Sequence, residues 1–385
     1  MRRTTIEQSS ALVSVALATV LAFAAGPVRA ERGDLSATVV VAAEEPHLPD
    51  PVPRVGAIRR GPDGKIETID PTARDPKALS ACATKTICVG AGQAYTSLGA
   101  ALAVAREGDV IEIIGGTYRE SDRIGVKNVT LRGVGGRVHF DCAGLHLVSD
   151  KACLLLAANG ITLENLEISG GVLAESAGAN GACVRNEPNL SFTLRHVACH
   201  GSQDGILSEG GVIVVENSEF YDNGWTELTH NVYFGGNCSV TVRGSTFRDA
   251  RIGHEFKSRC YETTISDSTF RSTKGSRDLD IPDGGETKIY RSTFEKTRGA
   301  DNYEIIAFAA ESCAHPGDML LKDIIVINSQ PEAAIHNYNR CSGHPIIIDG
   351  MTVQGLPPKQ YGYIKTATGV SDLAPMPTYP GALRP

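Results

Sequence analysis

A short amphipathic phrase closing on Ser-x-Phe recurs along the middle of the chain and limits what the chain can fold into. It runs Val212-Ile213-Val214-Val215-Glu216-Asn217-Ser218-Glu219-Phe220, then Ser239-Val240-Thr241-Val242-Arg243-Gly244-Ser245-Thr246-Phe247. It returns as Thr263–Phe270 and as Lys288–Phe294, so the phenylalanines are 27, 23 and 24 residues apart. Weaker copies precede it (Val129–Arg132, Ile161–Ile168, Phe192–Val197) and follow it (Leu320–Ile324, Ile346–Met351). Each copy alternates apolar and polar residues, as a strand with one buried face must. A strand this short cannot bury that face alone; stacking on the next copy buries it and pairs its backbone. A propeller blade needs roughly 40 to 45 residues, too long a period for these copies. The fold class expected is all-β: a right-handed parallel β-helix over residues 86–355, with coils of about 22 to 28 residues.

An open solenoid end exposes apolar surface and unpaired strand edges, so a cap is expected. Leu98, Ala101, Leu102 and Ala105 fall at helical spacing behind Thr96 or Ser97, either of which can cap a helix start. This opening segment, through Gly115-Gly116-Thr117-Tyr118, resembles the entry of pectate-lyase-like β-helix proteins.

The flanks read differently. Arg2 and Arg3, an apolar stretch from Ala11 to Ala25, and Val28-Arg29-Ala30 have the form of a secretory signal, with cleavage expected after Ala30. The apolar run is shorter than a membrane span requires, and none of that length follows. A secreted or periplasmic protein without a membrane span is therefore expected, and a monomer. Residues 31–80 are polar and Pro-rich and read as a flexible leader; 371–385 read as a Pro-rich tail. Loss of the signal takes the net charge from −7 to −9, which argues against nucleic acid as a partner. An acidic polysaccharide remains compatible, since a basic groove can sit on an acidic body.

Ten cysteines in an exported chain imply disulfides, and no Cys-x-x-Cys pair suggests a metal or redox site. Cys238 and Cys260 are 22 residues apart, one coil, and should bridge neighbouring rungs. Cys82–Cys88, Cys142–Cys153, Cys183–Cys199 and Cys313–Cys341 are the other pairings expected.

The candidate site comes from a second register. Setting Gly235-Gly236 over Gly284-Gly285 aligns His230–Phe234 with Leu279–Asp283, with Gly253–Arg259 between them and Tyr303–Ile306 beyond. Val232, Phe256, Ile281 and Ile305 then form a buried column, and Asn231, Glu255, Asp280 and Glu304 an outward one. Stacked carboxylates call for a cation, and oxygen ligands of this kind suit Ca²⁺. A solvated face held by salt bridges to Lys257, Arg259 and Arg277 is the structural alternative. Lys257 projects from the same face as Glu255. His230 and His254 stack and could replace Lys257 as a base, although their parity suits a hydrogen-bonding pair at the strand edge. Tyr233 and the only tryptophan, Trp225, are candidate sugar platforms; Trp225 could equally be loop packing.

An outward Asn followed one coil later by Glu and Lys-Ser, in a Ser-x-Phe-punctuated β-helix, resembles the alginate lyase and chondroitinase B family of polysaccharide lyases. The resemblance implies β-elimination on a uronic-acid polymer, with Asn231 and Glu255 as Ca²⁺ ligands, Lys257 as base, and Arg259 or Arg271 as the arginine. That family spaces its Glu and Lys further apart and has a second Glu without a counterpart here. The same segments also resemble exported bacterial β-helix proteins without an assigned activity. In such chemistry a cation neutralises the C6 carboxylate, a base takes the C5 proton, and the C4 oxygen leaves. Lysine can be the base only with a lowered pKa; Arg259 or Ca²⁺ would lower it, while Glu255 raises it. A glycoside hydrolase or epimerase on the same scaffold is an alternative, with Asp278, Asp280 and Asp283 as its acids. The Asn-x-Asp, Asp-Asp and Gly-His-Gly set of polygalacturonases is absent. A non-catalytic surface protein is the other alternative.

Overall fold

The structure, a computed structural model, describes residues 57–60, 66–69, 81–83, 86–367 and 370–372. The signal segment and nearly all of the C-terminal tail lie outside the described residues. Within the leader, Ala57–Arg60 and Ile66–Ile69 pair as an antiparallel hairpin, which the proline content did not suggest.

The body is a parallel β-helix in which every coil visits three sheets in turn. Sheet A carries the alternating phrase, from Ile87–Val89 through Ile161–Glu164 and Glu262–Ser266 to Ile364–Thr366. Sheet B carries the Ser-x-Phe end, including Glu219–Tyr221, Thr246–Arg248, Thr269–Ser272 and Thr293–Lys296. Sheet C follows after a longer turn and includes Phe256–Ser258, Leu279–Ile281, Glu304–Phe308 and Ala334–Asn337. Pairing is parallel in all three. The coils continue beyond residue 355, through Lys359–Tyr361, Ile364–Thr366 and Val370–Asp372.

The Ser-x-Phe phrase has a local cause. The residue before each serine (Asn217, Gly244, Asp267, Arg291) has a positive φ between 45° and 57°, which bends the chain from sheet A into sheet B. Each serine hydroxyl then donates to the carbonyl two residues back and accepts a backbone N–H from the preceding coil, that of Val197 for Ser218 and that of the preceding serine for the others. Ser218 N reaches Ser245 Oγ, Ser245 N reaches Ser268 Oγ, and Ser268 N reaches Ser292 Oγ, each at 3.2 Å. The turn's polar groups are thus satisfied inside the stack. The phenylalanines behind it pile face to face, with centroids 5.2, 5.1 and 4.8 Å apart from Phe220 to Phe294, all fully buried.

At the N-terminal end the helix Leu98–Leu102 buries Leu98 and Ala101, and Ser97 accepts the Ala100 N–H as its cap. Cys82–Cys88, Cys238–Cys260 and Cys313–Cys341 are bridged. The other two expected bridges are not formed: Cys142, Cys153, Cys183 and Cys199 are buried thiols. Their sulfurs donate to backbone carbonyls, Cys142 to Glu120 O and Cys153 to Ser169 O. Among the described residues no helix is long and apolar enough to cross a membrane.

Candidate active face on sheet C

The outward column of sheet C, read from its pairing, is Tyr233, Lys257, Asp280, Ala307, His336 and Tyr361. The register expected from the glycine pairs is therefore two residues off at the third coil. Asp280 stands opposite Lys257, not Glu255, and the buried partner of Phe256 is Leu279. Gly235 directly follows Phe234 within the strand Val232–Arg243, whereas Pro282 and Asp283 separate Gly284-Gly285 from Ile281, so aligning the glycines slides the strand. On the fourth coil Leu279 meets Ile306, with an irregularity between Glu304 and Ile306.

Asn231 and Glu255 are not outward. Both are completely buried in the turn from sheet B to sheet C. Asn231 Oδ1 accepts from Asn223 N and Nδ2, and its amide donates to Arg248 O and to Glu255. Glu255 also accepts the Ala250 N–H at 3.1 Å. Burial first, and then the charges of Asp249 and Asp278, push its carboxyl well above the ordinary range. Glu304 belongs to a different network: it accepts from Arg277 Nε at 2.7 Å, Tyr338 OH at 2.7 Å and His336 Nδ1 at 2.8 Å. Asn231, Glu255, Asp280 and Glu304 therefore do not converge on one position as a calcium ligand set must. Among the described residues the side chains that do converge this way are His139, Glu167 and His200, on sheet B. Arg137 already pairs with that Glu167.

Lys257, His254 and Asp280 are brought together. Asp280 is fully buried; its Oδ1 lies 3.1 Å from Arg277 Nη1, and its Oδ2 lies 3.4 Å from His254 Nε2 and 3.5 Å from Lys257 Nζ. Burial outweighs the attraction of Arg277 and Lys257 and raises its proton affinity above that of an ordinary carboxyl. Lys257 Nζ also lies 3.1 Å from Glu311 Oε1. Arg259, two residues on, pairs with Asp283 Oδ2 at 2.8 Å and with the other oxygen of Glu311.

His230 and His254 stack as expected, rings 4.8 Å apart and 7° from parallel. Their nitrogens rule out the role of base. His230 Nδ1 accepts the His254 N–H, and His254 Nδ1 accepts the Arg277 N–H. Each ring must then carry its proton on Nε2, and burial, reinforced by neighbouring positive groups, lowers both pKa values, that of His230 to about 3. They form a hydrogen-bonded ladder that aligns three coils, and His254 points its N–H toward Asp280.

Arg271 is on sheet B, bound to Asp249 at 2.7 Å, away from this face. Trp225 is in the turn before sheet C, where Arg251 lies over its ring at 5.8 Å. Beside it a cleft of about 330 Å³ is lined by His254, Arg277, Ser276 and Asn302, among others, but not by Trp225. Glu311, His336 and Tyr338 were not identified from sequence, and Asp283 was singled out only as a candidate hydrolase acid. Glu311 lies in an irregular loop, and a salt bridge spanning 52 residues leaves no periodic trace.

Residues 152–307 match the family model described as the right handed beta helix region. Comparison with curated proteins finds no match. Among solved structures the chain is similar to pectate lyase Pel9A, at 13% identity, covering 75% of this chain and 80% of that one with a TM-score of 0.48. It is also similar to a pectin methylesterase from Aspergillus niger, at 13% identity, covering 70% and 91%, with a TM-score of 0.44. The fold is a right-handed parallel β-helix. At these identities the likeness is one of fold.

Proposed function

We propose that the protein acts on a uronic-acid-containing polysaccharide, cleaving it by β-elimination on the outer face of sheet C. The observation that carries this reading is the cation row of Lys257, on the strand Phe256–Ser258, and Arg259, just past its end, each backed by its own acid, Asp280 and Asp283. Such a row can neutralise the C6 carboxylate of a uronate and so acidify its C5 proton. Asp280 backs Lys257 from the buried side, its Oδ2 3.5 Å from Nζ. His254 and Arg277 hold Asp280 in position. His336, Tyr338 and Tyr361 continue the face toward the C-terminal end, with His336 and Tyr338 rings 3.8 Å apart, and offer flat surfaces against which sugar rings can lie. This reading keeps the lysine and arginine of the alginate lyase and chondroitinase B resemblance. It routes no step through calcium, because the expected ligands do not share a site.

The test is incubation with a panel of pectate, alginate and glycosaminoglycan polymers, followed by product analysis. Elimination gives a conjugated, ultraviolet-absorbing unsaturated uronate end. Hydrolysis gives a saturated end and de-esterification gives methanol, and either product without unsaturation overturns the reading.

A further inference from the structure

Lys257 and Arg259 each hold two acids. The inner ones, Asp280 and Asp283, are 0% and 16% exposed at the side chain. The outer one is shared: Glu311 gives Oε1 to Lys257 at 3.1 Å and Oε2 to Arg259, with its side chain 47% exposed. A single carboxylate thus bridges two neighbouring cations, one oxygen to each, on the solvent side of the proposed reactive face. This is the arrangement expected of a bound uronate carboxylate.

The backbone that carries Glu311 is fixed. Glu311 N and Ser312 N both donate to Pro282 O, at 2.9 and 3.0 Å, and His315 N donates to Asp283 O at 3.1 Å. Ser312 Oγ donates to Asp283 Oδ1 at 2.7 Å, and the Cys313–Cys341 bridge ties the loop to the next coil. Only the side chain is free to leave. Although partial burial opposes ionisation, hydrogen bonding from Arg259 and the charge of Lys257 hold the Glu311 carboxyl below its ordinary value, so it is an anion when it occupies this position.

We infer that Lys257 and Arg259 form a carboxylate-binding clamp and that Glu311 is its resident occupant, displaced by rotation of its side chain when a substrate carboxylate enters. The inference rests on the proposed function, whose face and substrate class it uses. It implies that the free protein is held below its full affinity for anionic sugars.

The experiment is calorimetric titration of wild-type protein, Glu311→Gln and Glu311→Asp with size-defined galacturonate, guluronate and glucuronate oligosaccharides. Fully methyl-esterified galacturonate oligomer serves as the uncharged control. Glu311→Gln retains the backbone bonds of the loop and should bind the anionic oligomer between about threefold and tenfold more tightly, the scale of two exposed ion pairs no longer competing. Glu311→Asp keeps the charge on a shorter reach and should fall between the two; it also supplies the answer should Glu311→Gln fail to fold. Binding of the esterified control should not change. Equal affinity in wild type and Glu311→Gln overturns the clamp and leaves the proposed function standing. Weaker binding by Glu311→Gln also overturns it, since Glu311 would then contact substrate. If no variant binds any uronate oligomer, the face itself is misassigned and the clamp falls with it.

Discussion

The seam between sheets A and B and the outer face of sheet C use the same coils for opposite purposes. At the seam each coil repeats its neighbour: serine over serine, phenylalanine over phenylalanine, with polar groups satisfied by the same group one coil away. On sheet C each coil differs from the next, so tyrosine, lysine, aspartate, alanine and histidine stand in one column. Like stacked on like makes a stable rod. Unlike stacked on unlike brings different chemical groups within 3 to 4 Å of one another, which stacking alone does not require.

Variants at the two regions should therefore separate stability from function. The largest stability effect is expected from Phe270→Ala, which empties the centre of the ring stack. A loss of about 3 to 5 kcal/mol in denaturant unfolding is expected, and a loss below about 1 kcal/mol would mean that the stack is not the core of the rod. Glu255→Ala comes next, because it leaves Asn231 and the Ala250 N–H without their buried acceptor. The cost should be about 1 to 3 kcal/mol, and an unchanged midpoint with lost activity would return Glu255 to the site. Ser245→Ala removes one rung of the serine ladder and should cost about 0.5 to 1.5 kcal/mol.

The interior beneath sheet C gives a pH signature. Burial pushes the Asp278 carboxyl up to about 7, against the pull of Lys296, whose Nζ lies 3.6 Å away. An acid whose folded-state pKa is raised binds protons more tightly when folded. Its contribution is present below the unfolded pKa and is lost as pH rises from about 4 to about 7. Asp278→Asn should flatten stability across that interval. A slope that survives the substitution would assign it to other groups.

Where the molecule repeats, it was legible from sequence. The Ser-x-Phe spacing revealed the coils, and the 22-residue spacing located the Cys238–Cys260 bridge, because both follow from stacking. A cap at Thr96 or Ser97 followed from local chemistry, and Ser97 takes the role. Sheet C was legible only in part. Lys257 and Asp280 were singled out, but the glycine alignment slid the register, exchanged Asp280's neighbour, and turned a buried turn network of Asn231 and Glu255 into an apparent metal column. The turns into and out of sheet C vary in length, and alternation alone cannot separate a side chain facing solvent from one facing the inside of a turn. Glu311 and Tyr338 arrive from coils 52 and 61 residues distant from the arginines they meet, and only the fold brings them there.

Whether the protein meets a uronate polymer on the outer face of sheet C can be seen in a crystal structure with bound oligosaccharide. The Lys257→Ala variant, which leaves Asp280 paired with Arg277 and lacks one cation of the row, would be soaked with the uronate oligomer that the wild type cleaves. Sugar rings should lie along the column from Tyr233 to Tyr361, with a C6 carboxylate against Arg259 and Glu311 turned away. An oligomer bound on sheet A, on sheet B or in the cleft beside Arg277 instead would contradict that placement.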